Sequence, residues 1–203
     1  MQELKKAGTF IEQNLFFIIL FGLMLSGILV GALVFCGLNG DTADRLSFLG
    51  QGFLEERYEK SSFAILADSF FSATAYLIVI FLLGFSAISQ PFEFLVPFFK
   101  GLGLGATVAQ IYSLTGTKGF IIVLFLILPG AAIVSLGMLI AVKDAVRFSN
   151  LLLHTAVSTG YTNGMRENTR LFCSRILIFE AVMAAGALTD CICSLLFAKI
   201  LLN

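Results

Sequence analysis

The chain has 203 residues, of which 58% are hydrophobic and 13% charged, with a formal net charge of zero. A mean hydropathy of +0.96, 22 phenylalanines and no tryptophan exclude an ordinary soluble domain, and the lack of a basic excess excludes a nucleic-acid footprint. The class that remains is an all-α polytopic membrane helix bundle, because lipid offers the backbone no hydrogen bonds and a helix satisfies its own.

One helical crossing needs ~20 apolar residues. Leu15–Leu38 predicts the first, after a polar tail with Lys5, Lys6 and Glu12. The run is longer than the apolar region of a signal peptide, so it is expected to span and stay. Residues 39–62 are polar, carrying Asp41, Asp44, Arg45, Glu55, Glu56, Arg57, Glu59 and Lys60. Leu46, Leu49, Phe53, Leu54 and Tyr58 recur there at helical spacing, which predicts a short amphipathic extracytoplasmic segment on the membrane surface. Phe63–Ser89 is the second crossing, closed by Gln90-Pro91. Phe92–Leu114 is the third, with Pro97 and the Lys100-Gly101-x-Gly103-x-Gly105 run expected to interrupt it. A tight turn, Thr115–Gly119, leads to the fourth, Phe120–Val142, with a break expected at Pro129-Gly130. Residues 143–175 read as a polar cytoplasmic loop and Ile176–Leu196 as the fifth crossing. No internal duplication of the kind found in many secondary transporters is visible.

Orientation follows from Lys and Arg in the loops. An N-terminus inside places Lys5, Lys6, Lys143, Arg147, Arg166, Arg170 and Arg175 on the cytoplasmic side, against Arg45, Arg57, Lys60, Lys118 and Lys199 outside. The excess favours N-terminus in, C-terminus out.

Gly101-x-Gly103-x-x-Ala106 imitates a dinucleotide fingerprint, but that motif needs a preceding strand and a βαβ unit, and here its flanks are a membrane helix. Gly101-xxx-Gly105 and Gly27-xxx-Gly31 are instead the spacing for close helix approach, inside one subunit or between copies in a homo-oligomer. Lys100 lies ~12 Å into the bilayer, eight residues past Phe92, at 1.5 Å per residue. Either it snorkels to the headgroups past a bend at Pro97, or it forms an intramembrane ion pair. Glu180, ~6 Å from the same face, is the partner that depth selects, with Glu93 second. Asp68 and Asp190 lie ~7 and ~9 Å below the outer face. Two outer-leaflet carboxylates at one depth can hold a proton or a cation, or cap neighbouring helices.

No catalytic set stands out. His154 is the single histidine, with no nucleophile spaced around it, and no zinc-protease, serine-hydrolase or phosphate-loop motif occurs. Cys191 and Cys193 would point ~200° apart on a helix and cannot clamp one metal, so Cys36, Cys173, Cys191 and Cys193 read as small hydrophobes. The expectation is a protein that is not an enzyme and holds no cofactor or metal.

Residues 75–150 carry Phe81-Leu82-Leu83-Gly84, then Phe99-Lys100-Gly101 with Gly105, then Gly119-Phe120, then Leu128-Pro129. In that order and spacing they resemble the stage II sporulation protein M family of bacterial integral membrane proteins. Many members carry a second proline soon after Leu-Pro; this chain has Gly130-Ala131-Ala132 there. The resemblance implies a multi-pass cell-membrane protein at the sporulation septum. It also implies a scaffold that localises peptidoglycan-remodelling hydrolases during engulfment. Homologues outside spore formers suggest the alternative, a transporter or permease subunit moving an ion, lipid or small solute.

Overall fold

The computed structural model describes residues 2–37, 62–157 and 165–201. The amphipathic segment expected at 39–62 therefore lies outside the described residues, apart from its last position. Among the described residues five helices are long and apolar enough to cross a membrane. They are α1 (Gln2–Cys36), α2 (Ser62–Gly84), α3 (Gln90–Thr115), α4 (Thr117–Val157) and α5 (Met165–Leu201). Among the described residues there is no strand, so the protein is an all-α polytopic bundle.

Local chemistry sets the helix ends. Pro91 stands in the first turn of α3, where a missing N–H costs nothing, and Glu93 in the same turn faces the positive end of the helix dipole. Gly116 stops α3 with φ of 58° and returns its N–H to the Tyr112 carbonyl, so a single residue turns the chain into α4.

Three sequence expectations need correction here. Pro97 does not interrupt α3, which stays helical from Gln90 to Thr115. Pro129-Gly130 does not break α4 either. Instead Val123–Ile127 form a π-helical turn, and the Leu128 N–H bonds the Val123 carbonyl. The wider turn lies just N-terminal to Pro129, where an α-helix would press the proline ring on the carbonyl four residues back. Finally, most of the polar stretch 143–175 is helix rather than loop, since α4 continues to Val157 and α5 begins at Met165. Polar residues end an apolar run, but they do not end a helix. The 41 residues of α4 extend about 60 Å at 1.5 Å per residue, twice the ~30 Å of a hydrocarbon core.

The larger of two core clusters lies near the α2–α3 turn. It is built from Leu20 and Met24 of α1, Leu77 and Ile80 of α2, Val96 of α3, Met138, Leu139 and Val142 of α4, and Met183 of α5. Phe148 and Phe172 extend it outward, stacked with ring centroids 4.5 Å apart. The opposite end has a smaller cluster of Ile111, Ile122, Leu126 and Ile127. Between the two, the packing opens.

Candidate functional site

That opening is a cavity of about 220 Å³ enclosed by α2, α3, α4 and α5. Its polar lining is Asp68, Ser69 and Ser72 of α2, Lys100 of α3 and Asp190 of α5; Gly130, Ala131 and Val134 of α4 form a wall. Asp190 is buried, at 8% exposed, while Asp68 is exposed at the mouth. The Ser69 hydroxyl donates to Asp190 Oδ2. The Lys100 ammonium sits 4.7 Å from the centre of the Tyr76 ring and shares the chamber with Asp190. A lysine and two carboxylates thus share one polar chamber within the hydrophobic span, the setting in which such residues are tolerated.

Glycine admits Asp190 to this place. A Cβ on Gly130 would lie 2.8 Å from the Asp190 Cβ and 3.2 Å from its Cα, and one on Gly186 would lie 2.5 Å from Val134 Cγ2. The residue expected to break α4 in fact lets α5 come against it. The other side of the molecule uses the same device more strongly. Cβ atoms on Gly27, Gly31, Gly101 and Gly105 would fall 2.2, 2.1, 2.1 and 2.0 Å from carbonyl oxygens of the facing helix. The α1 and α3 backbones are therefore in direct contact through both glycine pairs, within one subunit.

The Lys100–Glu180 pair expected from depth is not formed. Glu180 accepts a 2.6 Å hydrogen bond from the Thr74 hydroxyl and lines a separate groove with Leu77, Phe81 and Leu177. Residue count along a helix does not give azimuth. Glu180 and Asp190 point ~80° apart around α5, and Asp190 has the face towards Lys100. Glu93 is also apart from it, fully buried at the start of α3. There its Oε1 lies 3.0 Å from the Ser89 hydroxyl, which also reaches the Leu83 and Ser86 carbonyls, and its Oε2 has no hydrogen-bond partner. Asp68 and Asp190, by contrast, do line one space.

Tyr76, Ser69, Ser72 and Thr74 were not singled out from sequence. The available signal was weak: Asp68, Ser69 and Ser72 fall within about one helical turn of an apolar span. Among the described residues no group of three or more His, Cys, Asp or Glu side chains could hold a metal ion.

An open apolar groove of about 460 Å³ lies against the chamber and shares Leu104, Ile127 and Ala131 with it. Its other walls come from Ile28, Val108, Tyr112, Phe120 and Leu124. No curated protein and no solved structure matches the chain. The model of one family does, that of stage II sporulation protein M, over residues 17–194. This span takes in all five crossings and the chamber, and so the chain belongs to the stage II sporulation protein M family.

Proposed function

We propose that the protein is a non-enzymatic membrane scaffold of endospore formation, which holds septal peptidoglycan-remodelling hydrolases in place during engulfment. Family membership carries this reading. A packed bundle agrees with it: Ala73 and Val134 line the chamber and belong to the same buried core as Leu77, Met138 and Met183. With the N-terminus in the cytoplasm, residues 39–62 face the cell wall, the side on which those hydrolases act. Deleting the gene in its spore-forming host should block engulfment and scatter fluorescently tagged hydrolases away from the septum. A deletion strain that engulfs and sporulates normally removes this reading.

One observation favours a second reading, a transporter or permease subunit. Lys100, Asp68 and Asp190 line a polar chamber that adjoins an apolar groove, a pairing suited to an amphipathic solute or lipid. Transport requires the core beneath the chamber to open. Purified protein in liposomes that moves no ion, lipid or small solute counts against it.

A further inference from the structure

A second charged cavity lies far from the chamber, where α4 and α5 leave the bundle as an antiparallel hairpin. Asp144, Arg147, Phe148 and Leu151 face Asn168, Leu171, Phe172 and Arg175, and both sets follow the i, i+3, i+4, i+7 spacing of one helix face. Helices matched in this way ordinarily close on each other. Here they leave a cavity of about 160 Å³, with Phe148 and Phe172 among its walls.

Its level in the membrane follows from contacts that do not involve the cavity. Gly84, the last residue of α2, packs so tightly on Phe172 that a Cβ would lie 2.7 Å from its ring. The Ser149 hydroxyl donates 2.6 Å to the Ser86 carbonyl, and Gln90, the first residue of α3, bonds Asn150 at 2.7 Å. The cavity is therefore level with the point where two spanning helices turn back, which is the headgroup layer.

The charges are unequal. Arg175 and Asp144 neutralise each other across the cavity at 3.3 Å. Arg147 has no carboxylate partner among the described residues, and its guanidinium stands exposed beside the apolar walls. The space thus combines a planar donor fork with no carboxylate partner among the described residues, a net positive charge and hydrophobic walls level with the α2–α3 turn. A guanidinium matches a phosphate diester with two parallel hydrogen bonds, and basic pockets between spanning helices are the usual seats of acidic lipid heads.

We propose that this cavity binds the phosphate headgroup of an anionic phospholipid, with Arg147 as its principal contact and the Leu151 and Leu171 side chains against the upper acyl chain. The full-length protein is purified in a neutral detergent, and binding of phosphatidylglycerol, phosphatidylcholine and glycerol phosphate is measured by native mass spectrometry. Saturable phosphatidylglycerol binding is expected, at least tenfold tighter than either of the other two. Arg147→Gln should weaken it about tenfold, while Arg166→Gln, an exposed cation on the same hairpin outside the cavity, should change it less than twofold. Asn168→Asp, which adds a carboxylate to the lining without touching the core, should weaken it as much as Arg147→Gln. Equal loss in Arg147→Gln and Arg166→Gln would show diffuse attraction to the hairpin and overturn the site. Equal binding of phosphatidylcholine would remove the anionic requirement, and glycerol phosphate binding as well as the lipid would make it a soluble phosphate site.

Discussion

The two sides of this bundle both use glycine contacts but differ in what the helices leave between them. Between α1 and α3 the backbones touch through Gly27, Gly31, Gly101 and Gly105, with no room for a side chain. On the other side Gly130 and Gly186 also bring α4 and α5 together, yet α2, α3, α4 and α5 leave Lys100, Asp68 and Asp190 around open space. Lipid gives helices no hydrophobic reason to associate, so close backbone packing is what holds a crossing of the first kind. The first contact can anchor the bundle, while the second, packed on the Leu77, Met138 and Met183 core, keeps a polar chamber beside it and can tolerate a charge.

The largest expected effect belongs to the glycine contact. Gly101→Ala or Gly31→Ala forces a methyl within about 2 Å of a facing carbonyl, and backbone cannot step aside as a side chain can. The penalty should reach at least ~3 kcal/mol, the top of the usual overpacking range, because two helices must separate. Gly22→Ala and Gly103→Ala occupy the same helices with nothing within 4 Å and should cost nothing, gaining up to ~1 kcal/mol in helix propensity. Folded protein recovered in detergent measures both. If all four variants accumulate alike, the direct backbone contact is wrong.

The chamber should respond less, and through its charges. Lys100→Met leaves the buried Asp190 carboxylate without the nearby ammonium. Breaking a fully buried pair costs ~3–5 kcal/mol, but Asp68 at the mouth of this chamber is exposed, so a loss of about 2 kcal/mol is expected. Asp190→Asn in the Lys100→Met background should restore part of it, and Glu180→Gln should not. That contrast is a coupling measurement, read from the melting of purified protein across the four combinations. Rescue by Glu180→Gln and not by Asp190→Asn would reverse the assignment drawn here.

Five crossings were legible because hydropathy over ~20 residues is a bulk property of the chain. The glycine spacings were legible for a similar reason: small residues four apart mark one face of one helix, whatever lies opposite. Which face meets which neighbour is not written in a single helix. Lys100 was therefore matched with a carboxylate on the other face of α5: Asp190 lines its chamber and Glu180 does not. Pro129 marked a real irregularity but not its form, since relief by a π turn depends on how α4 sits against α5. The length of α4 was hidden by composition, because Lys143, Asp144 and Arg147 signal departure from lipid and say nothing about the backbone. Tyr76 carried no signal; it matters because α2 and α3 bring its ring beneath a lysine.

The smallest effect concerns Glu180, the residue that depth alone favoured. It is half-buried, and the Thr74 hydroxyl is its hydrogen-bond donor. Thr74→Val keeps the shape of the side chain and removes only that donor. A hydrogen bond to a charged group contributes about 1.5–3 kcal/mol, and partial exposure lets water replace some of it, so ~1 kcal/mol is expected. Glu180→Gln should cost still less, since an amide oxygen accepts the same bond. Thr74→Val combined with Lys100→Met should then show simple additivity, because the two residues serve different carboxylates on different faces of α5. Non-additivity above ~0.5 kcal/mol would mean that the chamber and the Glu180 groove act as one unit, and the two-sided description of α5 would have to be abandoned.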